Sequence, residues 1–350
     1  MDLEPPAADQ GLSTRMELTF TPTDDLVVIV RHGARHDYAD PPAWKAHAAA
    51  CGFEYKDPPL SRVGRVQAAR VGTHLTTGDG KLAAALRQRA AAGALSLLVS
   101  PYLRTLQTAR PTSDALGVPM SVEGAVCEGP HRFPTMVPRH DGDREAWRAA
   151  HSLESAESID HCYVPALSFG NLPPEAGAGD EGEEGRRRSR VVPTEATFAD
   201  NLRRLLIGRA ALEELHFPAA ALSVEGGAPP PPPRAARAIV CFTHAATCVG
   251  LAAAFTGRSI HGVARAAPAG IWVLTRPVQS SSGAAGTLRV PWVAAVESSI
   301  AHLGDAFEAE TQPWTFPPRF AEVHRALVAD TAAELGHDPV LLVEEAERVT

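Results

Sequence analysis

The sequence predicts an α/β fold: three layers, α/β/α, around a central, mostly parallel sheet. Two observations predict it. Short apolar, β-branched runs recur along the chain, each bounded by turn-forming or charged residues, as buried strands are. Between them lie Ala-, Leu- and Arg-rich stretches with helical spacing, and strands alternating with helices give a sheet covered on both faces. In chain order, Leu26–Val30 is the first strand. Helices over Ser61–Leu75 and Lys81–Ala91 follow, then a strand over Leu95–Val99 and a helix over Ser100–Leu116, which Pro111 is expected to kink or end. A weaker strand is expected over Pro119–Val126, and a helix over Thr197–Leu215. The strand Ala238–Phe242, the helix Thr247–Thr256 and strands over Gly270–Thr275 and Val290–Val296 complete the set.

The chain has 350 residues, 45% hydrophobic and 21% charged, enough for a sizeable core. It is expected to form a single domain over 16–350, with 1–15 as a flexible tail. Residues 171–193, with an acidic block followed by a basic one, and 224–236, with five consecutive prolines, are expected to be flexible insertions. The formal net charge of −8 excludes a strongly basic nucleic-acid footprint. Five scattered cysteines with no CxxC pair argue against a disulfide scaffold and for a reducing compartment. The first fifteen residues lack the basic and apolar regions of a signal peptide, and no run of 18 apolar residues exists. The expected location is cytoplasmic, with the nucleus as the alternative, and no membrane partner is expected.

Three polar groups fall at the carboxyl ends of predicted strands, where open α/β sheets bind ligands. Leu26–Val30 runs into Arg31-His32-Gly33-Ala34-Arg35, and Gly33 allows close backbone approach. Leu95–Val99 runs into Ser100-Pro101-Tyr102-Leu103-Arg104. Ser100 reads as a helix N-cap, and Arg104 lies near the positive end of that helix, a natural anion site. Ala238–Phe242 runs into Thr243-His244. Arg31, His32, Arg104 and His244 are thus expected to converge on one dianion.

Together, the RHG triplet, SPxxRTxQTA over 100–109 and the later strand-terminal His resemble the histidine phosphatase superfamily, the phosphoglycerate-mutase-like fold. The helix-forming segment DPPLSRVGRVQAARVG, 57–72, adds to the resemblance. The resemblance implies that His32 accepts the phosphoryl group and that Arg31, Arg104 and His244 bind phosphate. It also implies an extra phosphate ligand in Arg35, as in the branch of the suppressor-of-T-cell-receptor-signalling phosphatases and the transcription factor IIIC phosphatase-like subunit. Glu128 sits where the family places its general acid; Glu123 is the competitor. The missing Asp after His244 and the missing mutase segments argue against the phytase branch and against mutase activity.

The chemistry fits the residue types: neutral imidazole is a competent nucleophile, and arginines fork onto phosphate oxygens. The expected function is phosphomonoester hydrolysis through a phosphohistidine, on a phosphoprotein or a phosphorylated small molecule. The alternative is a phosphatase-like domain serving as a subunit of a complex. No cofactor and no metal are expected: His32-x3-His36 lacks further ligands, and Cys241, His244 and Cys248 have no second pair. A homodimer is compatible with the sequence. The segment Asp37–Trp44 and the stretch holding His131, Arg132, Phe133, Trp147 and Tyr163 are the candidates for leaving-group selection.

Overall fold

The computed structural model describes residues 20–39, 41–51, 57–78, 80–128, 159–160, 163–169, 190–192, 198–218, 234–278, 291–304 and 313–334. The strands are β1 (Asp24–Arg31), β2 (Leu95–Val99), β3 (Met120–Val122), β4 (Leu167–Phe169), β5 (Arg190–Val192), β6 (Ala238–Thr243), β7 (Ile271–Pro277) and β8 (Val293–Ser299). The helices are α1 (His36–Ala39), α2 (Pro41–Cys51), α3 (Arg62–Thr76), α4 (Lys81–Ala91), α5 (Leu103–Leu116), α6 (Phe198–His216), α7 (Ala245–Thr256) and α8 (Phe320–Glu334). Six strands form one mixed sheet in the order β3-β2-β6-β1-β7-β8. The four from β3 to β1 are parallel, and β7 and β8 add antiparallel at the far edge. This is the three-layer, mostly parallel α/β/α arrangement expected.

Every residue of β1 is buried, because helices cover both faces of the sheet. Leu26, Val28 and Val30 join the cluster built with Val71, Leu75, Leu86 and Leu106 of α3, α4 and α5. Val27 and Ile29 point the other way, into the cluster built with Leu202, Leu205, Val249 and Leu251 of α6 and α7. The period-2 alternation thus divides one apolar run between two cores.

Two expectations need correction. α5 does not end at Pro111 but runs through it to Leu116. Pro111 packs where α3 comes close: a Cβ at Gly72 would lie 2.7 Å from the Pro111 side chain. The expected strand Pro119–Val126 is shorter, because Glu123 turns its carboxylate onto the Ala125 amide and caps a 3₁₀ turn over Gly124–Val126. Of the segment 171–193 only 190–192 is described, and Arg190–Val192 pairs with Leu167–Phe169 as a second, two-stranded parallel sheet. In 224–236, Arg234 is described and pairs with Asp25. The expected tail, 1–15, lies outside the described residues. α2 and α8 were not expected. Pro41 suits the first position of a helix, and α2 buries Trp44 and Ala48. Among the described residues no helix is long and apolar enough to cross a membrane.

Candidate active site

The four adjacent parallel strands deliver the expected site residues to one edge. β1 ends at Arg31, and the His32 amide donates to the carbonyl of Thr243, the last residue of β6 (2.9 Å). The Ser100 amide, just past β2, donates to the Phe242 carbonyl (3.1 Å). The Glu123 amide, just past β3, donates to the Val99 carbonyl (2.9 Å). Ladder bonds therefore hold the starts of all four site loops in register.

The loop after His32 is pinned backbone to backbone. A Cβ at Gly33 would lie 2.6 Å from the Gly64 carbonyl oxygen of α3, so glycine is required there. The Gly33 amide donates to Thr108 Oγ1 (3.2 Å), and the Ala34 amide to Gln67 Oε1 (2.7 Å). His32 is 3% exposed, and its Nδ1 lies 2.7 Å from the Gly33 carbonyl oxygen. A carbonyl only accepts, so Nδ1 carries the proton and Nε2 is the basic nitrogen. Burial, then the charges of Arg104 and Arg31, hold the ring well below the usual imidazole range. His32 is therefore neutral at neutral pH.

Arg31 is buried and donates Nη1 to the Ala266 carbonyl (2.7 Å). Arg104 is 1% exposed and meets three partners. Its Nη2 donates to Glu128 Oε2 (2.8 Å) and to His244 Nδ1 (3.0 Å), and its Nη1 lies 3.4 Å from Asp57 Oδ1. Tyr102 stacks under the guanidinium (4.4 Å) and meets the His244 ring edge-on (4.9 Å). The His32 and His244 rings stand 5.3 Å apart. Glu128 also approaches His244 Nδ1 (3.3 Å), and its side chain is 39% exposed.

Arg35 lies apart from this cluster in its contacts. Its guanidinium forks onto Asp37 (2.9 and 2.6 Å) and stacks on Tyr38, which is 63% exposed. Its charge still acts on His32 and His244, whose pKa values it helps to lower.

The two candidate acids part company. Glu123 is fully buried and accepts from the amides of Ala125, Ala166 and Leu167 and from the Tyr163 hydroxyl. Three of those four donors tie it to the segment 163–167, and none of the four is His32 or Arg104. Tyr163, expected over the site, is the partner of Glu123 instead. His131, Arg132, Phe133 and Trp147 lie outside the described residues.

Residues that the sequence did not disclose complete the frame. Asp57 accepts from the Leu103 amide with both oxygens (3.0 and 3.1 Å) and so caps α5. Ser100 was expected to do this, but the helix starts at Leu103, and Ser100 Oγ instead meets His244 Nε2 (2.8 Å). Arg204, 1% exposed, donates to the carbonyls of Gly124, Ala125 and Cys127, and Thr247 also donates to Cys127. That clamp fixes the backbone directly before Glu128.

Buried arginines and paired imidazoles beside one half-exposed carboxylate form a site suited to a phosphoryl group. The model of the Histidine phosphatase superfamily (branch 1) matches residues 27–157. Arg31, His32, Arg35, Arg104 and Glu128 fall within the match, while His244 lies beyond it and reaches the site through β6. No curated protein matches. Among solved structures, the ecdysone phosphate phosphatase from Bombix mori, in complex with tungstate, is 16% identical, with a TM-score of 0.42 over 76% of this chain and 97% of that one. "Mycobacterial hydrolase 1" is 17% identical, with a TM-score of 0.40 over 79% and 99%. A mycobacterial glucosyl-3-phosphoglycerate phosphatase with inorganic phosphate is 18% identical, with a TM-score of 0.39 over 79% and 99%.

Proposed function

We propose that the protein hydrolyses phosphomonoesters through a phosphohistidine on His32. The observation that carries this reading is the His32 ring: neutral, with Nδ1–H committed to the Gly33 carbonyl and Nε2 left as a nucleophile beside Arg31 and Arg104. In the first step Nε2 attacks phosphorus and the ester P–O bond breaks. Arg31, Arg104 and His244 hold the non-bridging oxygens as charge spreads over them. Glu128, half-exposed at the mouth, gives a proton to the leaving oxygen. In the second step water attacks the phosphohistidine, Glu128 takes its proton, and phosphate leaves.

Arg35 joins the phosphate ligands when it exchanges Asp37 for a phosphoryl oxygen. That extra ligand is the feature by which the sequence resembles the suppressor-of-T-cell-receptor-signalling group. The substrate is a protein phosphotyrosine or a small-molecule phosphate, and Asp37 and Tyr38 beside Arg35 meet its leaving group. No metal takes part, since the arginines already supply the positive charge. The test is turnover of p-nitrophenyl phosphate by purified protein before and after exhaustive chelation. Equal turnover is expected. A loss restored by one divalent ion overturns metal independence, and no turnover in either case favours the interaction-subunit reading. A panel running from phosphotyrosyl peptides to sugar phosphates then identifies the substrate class.

A further inference from the structure

Arg104 and His244, two of the groups expected to hold a phosphoryl oxygen, already share a carboxylate oxygen. Glu128 Oε2 lies 2.8 Å from Arg104 Nη2 and 3.3 Å from His244 Nδ1. A phosphoryl oxygen within reach of the same two nitrogens takes the place that Oε2 fills. Exposure decides which group yields. The side chains of Arg104, Asp57 and His244 are 2%, 4% and 0% exposed, whereas that of Glu128 is 39% exposed. Of these four, Glu128 is the one that can turn into solvent. The ion pair also holds Glu128 in the wrong state for its role, because a carboxylate on a guanidinium has no proton to give a leaving oxygen.

We infer that the substrate's phosphoryl group displaces Glu128 from Arg104, and that the displaced carboxylate takes up one proton from solvent, the proton it then gives to the leaving oxygen. The inference rests on the phosphatase reading above. Displacement changes what stands beside Glu128: the Arg104 charge is spent on the substrate, and a dianion lies next to the carboxylate. Like charges at that distance favour protonation of one of them. The other groups facing Glu128 do not hold it charged. Arg31, at the end of β1, and Arg35, in the loop before α1, act on it through space, but both spend their charge on the same phosphoryl oxygens. Tyr102 before α5, Cys127, and Cys248 on α7 also face it. Burial, the first cause in each, pushes all three up, so they are neutral. His32 and His244 are neutral too, held down first by burial and then by Arg104. The protons balance over a turnover. One enters Glu128 from water as the substrate binds and leaves on the product hydroxyl. A second comes from the attacking water and returns to solvent when phosphate departs and Glu128 rejoins Arg104.

The probe is tungstate, a dianion that carries no proton of its own near neutral pH. Calorimetric titration of the full-length protein at about pH 7, in two buffers of different ionisation enthalpy, counts the protons taken up with it. The protein should bind close to one proton per tungstate, and its affinity should fall as pH rises, by up to about tenfold per pH unit. Glu128→Gln cannot ionise, and its amide N–H stands in for the acid O–H. The variant should bind tungstate with no proton uptake, and about tenfold more tightly than the parent at alkaline pH, because no charged hydrogen bond has to be broken first. No proton uptake by the parent overturns the inference, and this count needs no variant. Uptake that persists in Glu128→Gln overturns it too, since the proton then lies on a histidine. Weaker binding by Glu128→Gln, at an unchanged melting temperature, overturns the displacement. Each of these leaves the phosphatase reading standing. A parent protein that binds no tungstate overturns both.

Discussion

β1 begins and ends in buried charge, and the two ends differ in one respect. At its start, fully buried Asp25 pairs with Arg234 and lies 3.6 Å from Arg276. Arg276 also meets Glu213 (2.8 Å), stacks on Trp292 (4.3 Å), and shares Glu213 with the Trp292 indole N–H. At its other end, Arg104 likewise stacks on an aromatic ring and pairs with two carboxylates. The acids decide the difference. Asp25 and Glu213 are sealed, 0% and 1% exposed, whereas Glu128 is 39% exposed. A sealed partner can only hold structure. An open one can be exchanged for the anion of a ligand. The same pairing chemistry therefore braces one end of the sheet and equips the other.

Substitutions at the two ends should separate accordingly. Arg104→Ala should lower kcat/KM by about 10³-fold or more, on aryl and alkyl phosphates alike, because both transfer the same phosphoryl group. Steady-state kinetics normalised to folded protein checks this. A large loss on one substrate class alone would place Arg104 on the leaving group. Glu128→Gln should slow alkyl phosphates by about 10²–10⁴-fold and p-nitrophenyl phosphate far less, since a phenolate hardly needs a proton. Glu123→Gln should treat both substrates equally and act mainly through stability. Asp25→Asn should cost about 3 kcal/mol of unfolding free energy by leaving arginines uncompensated, with kcat of the folded protein unchanged. Urea denaturation and kinetics on the same sample distinguish the two effects.

The smallest effect is in pH. His32 and His244 have depressed pKa values, as do His302, at about 3, and His324, at about 4, all with burial as the first cause. In the unfolded chain these rings titrate near 6.5, so below that pH the unfolded state binds more protons than the folded one. Their contribution to stability is complete above about pH 6.5 and is lost progressively as pH falls toward 4. Thermal melts across that range should show Tm falling on the acid side. A Tm independent of pH there would contradict the burial of these rings.

Much of this was legible in local sequence. Leu95–Val99 is a strand with the bounds expected, because a continuous apolar run can only be satisfied inside a covered sheet. Arg31, His32, Arg104 and His244 converge because strand ends are local signals and parallel strands put those ends on one edge. Partnerships across long separations were not legible. Asp57 caps a helix 46 positions away, and Ser100, a good cap by its neighbours, serves a histidine 144 positions away. Glu123 and Glu128 look alike in sequence, and only the 163–167 segment tells them apart. Arg204 was one arginine among thirty until its three carbonyls came into view.

The central claim is that the open end of β1 carries a phosphoryl acceptor. It is tested most directly by mixing the protein with a ³²P-labelled phosphomonoester, quenching in alkali, where a phosphoramidate survives, and mapping the label. Label on His32, absent from His32→Ala together with turnover, is the predicted result. Label that persists in His32→Ala, or turnover by that variant at the parent rate, would contradict it.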